Sequence, residues 1–327
     1  MRESTNMYTD PFSDILEFAS PRSIVSGVLA AGGEWAVRFP PPQKIKFFAI
    51  AKGECWLDAE DGSGPFRVRE GDVFLTTQRA IVLSSDPALE AVDGTALYAD
   101  KPDKSVVLGN GTGFFLLGGQ IVLDPMAADL LGDVLPPLIF VPALSPHAPA
   151  SKWLLNRLVE ERAAARPGHA LAMEQLCQLL FMEMLRAHFL SAEPPAAGIL
   201  RAVSDKRLAP ALRRIHADPS RSWGLEELAA AAGMSRTTFV NAFREAAGTT
   251  PIAYVSRWRM HHAARDLRDR DVSVAELAYA HGYASESGFS NAFKRIVGLS
   301  PTAYRNRTRE RSGRDEAVPP PAPGRSR

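Results

Sequence analysis

Asn241 and Asn291 stand 50 positions apart in nearly the same local sequence, and each is followed three residues later by a cation, Arg244 and Lys294. A carboxamide carries a donor and an acceptor and can bond a base edge, while a guanidinium or ammonium suits a phosphate. Around these residues the chain repeats itself. GMSRTTFVNAFREAAGTTPIAY (233–254) and GYASESGFSNAFKRIVGLSPTAY (282–304) keep an offset of 50 from Phe239 onward. Phe239 matches Phe289, Phe243 matches Phe293, Gly248 matches Gly298, Pro251 matches Pro301 and Tyr254 matches Tyr304. Upstream, Glu227-Leu228-Ala229 matches Glu276-Leu277-Ala278 at an offset of 49, so the second turn holds one extra residue. Spaced matches of this number indicate a duplicated structural unit.

Each copy reads as helix–turn–helix. In the first, Leu225–Ala232 is a short helix of strong formers stopped by Gly233; Ser235 caps the next helix, Arg236–Ala247, which Gly248 ends. In the second, Val274–His281, Gly282, Ser285 and Glu286–Val297 take those places. The inward faces are Phe239, Ala242, Phe243 and Ala246, then Phe289, Ala292, Phe293 and Ile296, at helical spacing. What points outward is mostly polar, and an α-helix fits the major groove of DNA. Between the copies, Thr250-Pro251 starts a helix that runs to about Asp269, roughly 28 Å at about 1.5 Å per residue. Its apolar face (Ile252, Val255, Trp258, Met260, Ala264, Leu267) could rest on both units. One turn of DNA is about 34 Å, so a rigid helix of that length could hold two recognition helices in successive major grooves.

Charge divides the chain in the same place. Residues 205–311 carry 18 Lys+Arg against 11 Asp+Glu, and residues 1–204 carry 17 against 24, although the whole chain is only +1. A basic back and an acidic front suggest two jobs, the back meeting a polyanion. Across 327 residues, 46% apolar and 23% charged, the composition fits two ordinary domains and excludes a mainly disordered chain. No apolar run approaches the roughly 18–20 residues that span a bilayer, and MRESTNMYTDPFSD has no signal-peptide core. Two cysteines, Cys55 and Cys177, exclude four-cysteine metal sites and point to a reducing, cytoplasmic setting with buried, inert thiols.

The front region, to about residue 146, is broken into short apolar runs with turn signals at Glu60–Gly64 and Glu70-Gly71-Asp72, which argues for a β-sandwich or barrel. GNGTGFFLLGG (109–119) lacks both the dinucleotide and the Walker pattern and reads as loop and strand. Two helices follow. One, over 151–165, carries Trp153, Leu154, Leu155, Leu158 and Val159; the other, His169–Leu190, carries Leu171, Leu176, Leu179, Leu180, Met184 and Phe189. They form an antiparallel hairpin whose apolar stripes either cover the sheet or make a dimer seam. SAEPPAAG (191–198) reads as a linker, and the Pro-rich tail 311–327 as disordered.

Residues about 205–307 resemble the DNA-binding domain of the AraC/XylS family of bacterial transcription regulators. The likeness lies in LEELAAAAGMSRTTFVNAFREAAGTTPIAYVSRWRM and VAELAYAHGYASESGFSNAFKRIVGLSPTAYR. It implies two helix-turn-helix units on a linker helix, binding adjacent major grooves of double-stranded DNA upstream of a promoter. It places Thr237, Val240 and Asn241, then Glu286, Ser287, Ser290 and Asn291, at base-reading positions. Val240 can only pack on a thymine methyl, and Glu286 can only accept from a cytosine amine. Ser235, Arg236, Arg244, Ser285, Lys294 and Arg305 are the phosphate candidates.

The front region, through FFAIAKGECWLDAEDG and VREGDVFLTT, is similar to the cupin-type sensor domains attached to many members of that family. No histidine precedes His147, and the position where enzymatic cupins place one falls near Ile81-Val82. The resemblance therefore implies a barrel without a metal or other cofactor, and a cavity for a small-molecule effector with Trp35, Phe47 and Trp56 as candidate lining. The expected architecture is multidomain α+β. Residues 1–200 form a cupin-like barrel (about 15–146) with a helical hairpin (about 151–190), and 201–310 an all-α double helix-turn-helix domain. The expected function is a sequence-specific regulator, an activator acting with RNA polymerase, homodimeric, cytoplasmic, not an enzyme and away from membranes. A metal cupin fused to a DNA module, or a docking adaptor without DNA contact, are the alternatives.

Overall fold

The computed structural model describes residues 10–101, 104–124, 135–146, 148–190 and 198–316. The chain divides into two compact units, one built from residues 15–204 and the other mainly from 205 onward together with the first residues of the chain.

The first unit is a pair of facing β-sheets backed by helices. Its strands are β1 (Arg22–Gly32), β2 (Ala36–Phe39), β3 (Ile45–Lys52), β4 (Glu54–Asp58), β5 (Phe66–Arg69), β6 (Val73–Thr76), β7 (Ile81–Ser84), β8 (Val92–Asp93), β9 (Ser105–Gly109), β10 (Phe114–Val122) and β11 (Leu138–Val141). One sheet has the order β11-β6-β3-β10-β1-β9 and the other β5-β4-β7-β2-β8. A helix α1 (Pro11–Ala19) precedes the strands, and α2 (Gly94–Ala99) lies between β8 and β9. Successive strand residues face opposite sides. Leu29, Val37, Phe48, Ile50, Leu57, Val68, Phe74, Leu83 and Leu116 therefore meet in one buried core shared by both sheets.

Both expected turns are present. The β4–β5 hairpin closes through Gly62 and Gly64, and the turn before β6 places Gly71 at a φ of 88°. Asp72 fixes that second turn: its carboxylate accepts from Arg69 N at 2.8 Å and from Ala143 N at 2.6 Å while buried. The glycine followed by an acid is thus a turn device, with the carboxylate satisfying two backbone donors.

Helices α3 (Ala148–Ala164) and α4 (His169–Leu190) pack on each other and on the outer face of the six-stranded sheet, α4 against β1, β10 and β11. The buried side chains of α4 include Met173, Cys177, Leu180, Phe181, Met184, Leu185 and Ala187. This corrects the sequence expectation: Leu171 and Leu179 face solvent, as does Trp153 of α3 at 63% exposure. The helix is apolar on so many sides that leucine positions alone could not set its phase. Covering the sheet is therefore one role of the hairpin, and its outer side keeps exposed apolar residues.

Helix α5 (Ile199–Ser204) closes the first unit, and from residue 205 the second unit is all helical: α6 (Ala209–Ala217), α7 (Leu225–Ala231), α8 (Arg236–Ala247), α9 (Pro251–Asp269), α10 (Val274–Ala280), α11 (Glu286–Val297) and α12 (Pro301–Glu316). The expected loose tail is corrected at its start, since α12 continues through residues 311–316. The remainder of that tail, 317–327, and linker residues 191–197 lie outside the described residues. No helix among the described residues is long and apolar enough to cross a membrane.

Candidate nucleic-acid interface

The two copies of the repeat are built alike. Ser235 caps α8 by accepting from Thr238 N, and Ser285 caps α11 by accepting from Gly288 N, both at 3.2 Å. Each helix ends on a left-handed glycine, Gly248 at φ 68° and Gly298 at φ 81°. Inside each unit the repeated Phe, Phe and Tyr form a row of rings. Phe239–Phe243 and Phe243–Tyr254 centroids are both 5.7 Å apart, and so are Phe289–Phe293 and Phe293–Tyr304. All four phenylalanines are fully buried, each worth roughly 1.5–3 kcal/mol of transfer free energy. That burial leaves one side of each helix outward.

On those outward sides Arg236, Thr237, Asn241 and Arg244 of α8 are exposed, as are Glu286, Ser287, Asn291 and Lys294 of α11; Val240 and Ser290 are half-buried at the edge. Ser235 and Ser285 are exposed at the helix starts, with their hydroxyls also serving as caps. Arg236 touches Glu226 at 3.2 Å in an exposed pair, so it is tethered loosely and can turn to another anion. Arg305 is different. Its guanidinium donates to the carbonyl of Val272, tying α12 to the loop before α10, and it is half-buried. One guanidinium nitrogen is thus engaged in packing, unlike the exposed cations Arg244 and Lys294.

Helix α9 positions both copies. Val255, Trp258, Met260, Ala264 and Leu267 are buried as expected, while Ile252 is 41% exposed. The helix packs against α8 of the first copy and against α10, α11 and α12 of the second. Its Arg259, which no local pattern singles out, acts as a clamp: Nε donates to Pro219 O and Nη2 to Arg221 O, both at 2.7 Å. The same loop meets the second copy at Gly282. A Cβ there would lie 2.0 Å from the Ser220 carbonyl oxygen, and φ is 75°. Only glycine allows that approach. Local spacing does not reveal this loop contact, because the partners are 40 and 62 positions apart.

Histidines line α9, and among the described residues no group of three or more His, Cys, Asp or Glu is placed to hold a metal. The His216 ring stacks on Trp258 at 4.2 Å and its Nε2 lies 2.6 Å from the Tyr254 hydroxyl. His262 packs edge-on against Trp258 at 5.0 Å, and burial, with the charges of His281 and Arg265 adding to it, lowers its pKa to about 4. His281 Nε2 is 3.0 Å from Asp266, and burial still holds its pKa below the usual value. Burial also raises the thiol pKa of Cys177 to about 12 and that of Cys55 further, in keeping with inert thiols.

The first unit holds a cavity of about 290 Å³ between its sheets, walled by Phe39, Phe48, Leu116 and Tyr98. None of the three aromatics expected to line an effector site borders it. Trp35 packs on Phe114 at 4.8 Å in the core and edges a separate groove with Leu89 and Leu108. Phe47 is buried on the opposite side of β3 from Phe48, and Trp56 lies under the Arg67 guanidinium at 5.0 Å. Aromatic residue type named large side chains but not the face of the strand each occupies.

Residues 10–190 match the cupin family and residues 228–307 match a helix-turn-helix domain family. An AraC-like transcription regulator of Streptomyces lividans is 38% identical over 279 residues, covering 85% of this chain and 92% of that protein. The HTH-type transcriptional regulator AlkR of Acinetobacter baylyi is 28% identical over 78% of this chain and 85% of its own length. Among solved structures, the DNA-binding domain of AdpA in complex with a target DNA is 34% identical. It covers 33% of this chain and 96% of that one, with a TM-score of 0.32.

Proposed function

The chain belongs to the AraC-type DNA-binding transcription regulators, with a cupin domain preceding the helix-turn-helix domain, and from that premise we propose how it reads and responds. Thr237, Val240 and Asn241 of α8 and Glu286, Ser287, Ser290 and Asn291 of α11 read base edges. Ser235, Arg236, Arg244, Ser285 and Lys294 take phosphates, which fix register without carrying sequence information. A small molecule bound in the front unit shifts DNA affinity by favouring one state of the chain. Two copies pair through the apolar residues left outward on the helical hairpin, Trp153 and Leu171 among them. The bound regulator acts in the cytoplasm as an activator contacting RNA polymerase, and performs no catalysis of its own.

One observation supports the base-reading part most strongly. Both helices bury their phenylalanines completely and keep a polar face in solvent, and a single buried-faced helix packs on both copies. The test is a mobility shift on operator DNA enriched from a random pool, with scrambled competitor. Asn241→Ala and Asn291→Ala should each relax discrimination at one position by about 1–3 kcal/mol. Equal affinity of the unsubstituted protein for operator and scrambled DNA refutes the reading.

A further inference from the structure

The cavity of the first unit is lined by rings and aliphatic carbon together with two cations. Lys46, Lys104 and Gln120 join Phe39, Phe48 and Leu116, and among the described residues no Asp or Glu borders it. Lys46 sits opposite Gln120 in the β3–β10 ladder, so the ammonium and the carboxamide share one face of the sheet. Lys46 is half-buried and, among the described residues, has no carboxylate partner. Burial alone lowers its pKa, the mark of an ammonium short of solvent and of a counter-ion. Lys104 Nζ donates to the Tyr98 carbonyl at 3.2 Å and, among the described residues, meets no carboxylate. A partly desolvated ammonium without an anion costs free energy that a bound anion would recover.

The space itself is kept open by glycine where nothing else demands it. Gly118 faces Gly27 across the β1–β10 ladder. A Cβ at Gly118 would meet nothing nearer than 3.7 Å, and one of its neighbours would be the Phe48 ring of the cavity wall at 3.8 Å. Neither a positive φ nor a close backbone requires glycine at this position. The contrast is Gly119, one residue on and facing the other side, where a Cβ would run into the Phe47 ring at 2.0 Å. Beside Gly118 on the neighbouring strand, Phe48 is braced by Phe39 and by Phe74, each at 5.1 Å, so the wall does not readily collapse inward.

We propose that this cavity binds a small molecule with a compact apolar body and a single oxyanion, the oxyanion against Lys46, Lys104 and Gln120 and the apolar body against Phe48 and Leu116. The proposal rests on the reading that the front unit takes an effector, and it assigns that effector a chemical class. The volume lies at the small end of ligand pockets, which suits one ring or a short branched chain.

The test uses the full-length protein and three probes titrated calorimetrically without DNA: 4-phenylbutanoate, phenyl phosphate and the neutral 4-phenylbutanamide. The expected result is that at least one anion binds about tenfold or more tightly than the amide, and the better of the two identifies the oxyanion as carboxylate or phosphate. Lys46→Met should erase that preference. Gly118→Leu should abolish binding of every probe while the thermal unfolding midpoint and operator affinity stay near those of the unsubstituted chain. Should Gly118→Leu fail to fold, Gly118→Ala should weaken binding without loss of structure. Equal binding of anion and amide, no saturation by any probe at millimolar concentration, or an unchanged preference in Lys46→Met each overturns the proposal. A separate mobility shift with the bound anion distinguishes the two claims. Binding at the cavity with unaltered operator affinity upholds the site and refutes effector control.

Discussion

Replacing Arg259 by alanine asks whether the two helix-turn-helix copies act as one body. The guanidinium makes two hydrogen bonds at 2.7 Å to the carbonyls of Pro219 and Arg221, and Ser220 between them abuts Gly282 of the second copy. Hydrogen bonds from a charged donor contribute about 1.5–3 kcal/mol each when buried. The bond to Pro219 is part-buried and that to Arg221 exposed, so the pair is worth about 2–3 kcal/mol after solvent screening. Losing it frees the loop and with it one brace between the linker helix and the second copy. Binding of the second recognition helix then loses part of its intramolecular advantage. Affinity for an operator with both half-sites should fall about tenfold or more, while affinity for DNA carrying one half-site and one scrambled half should change less than twofold. Quantitative mobility shifts on the two DNAs read this directly. Equal loss on both would mean that Arg259 touches DNA or that the fold has failed, and no loss on either would mean that the clamp does not set the spacing; each result refutes the reasoning.

Other perturbations follow from the same geometry. Arg244→Ala and Lys294→Ala should weaken binding to every sequence alike and reduce the slope of log K against log salt by about 0.9 each, measured by titration at several ionic strengths. The His262 pKa is about 4 in the folded chain against 6.5 in the unfolded one, so the unfolded state binds the proton first on acidification. Stability from this group is complete above about pH 6.5 and is lost as pH falls towards 4, by up to about 3 kcal/mol, and His281 acts in the same direction. Thermal unfolding midpoints between pH 7 and 4.5 should therefore drop, and His262→Gln should flatten that dependence. Gly282→Ala should destabilise the second unit by roughly 1–2 kcal/mol from the left-handed backbone alone, with more from the Ser220 contact, as read by denaturant unfolding.

Much of the second unit was legible because the chain states it twice. A capping serine, a Phe pair four apart, a terminal glycine and a proline-started helix each carry a local physical signal, and the helices Arg236–Ala247, Pro251–Asp269 and Glu286–Val297 fall where those signals put them. What sequence could not show are contacts between distant backbone and side chain. The Arg259 clamp and the Val272 partner of Arg305 depend on tertiary approach, and nothing in the local pattern distinguishes either arginine from a phosphate ligand. In the first unit the turns at Gly62, Gly64 and Gly71 were readable from composition, whereas the cavity was not. Its lining depends on which strand face Phe47 or Phe48 occupies, and its most telling residue, Gly118, is a side chain that is missing. The phase of α4 was hidden for the opposite reason, an excess of apolar positions around the helix.

In the proposed function α9 holds α8 and α11 at one fixed separation, and a single chain reads two successive major grooves. Operator affinity as a function of half-site spacing tests it most directly. Inserting five base pairs between the half-sites turns one through about half a helical turn, and affinity should fall to that of a single half-site, with partial recovery at ten. Affinity that is indifferent to the insertion would mean that the two helices move independently, and the account would be wrong.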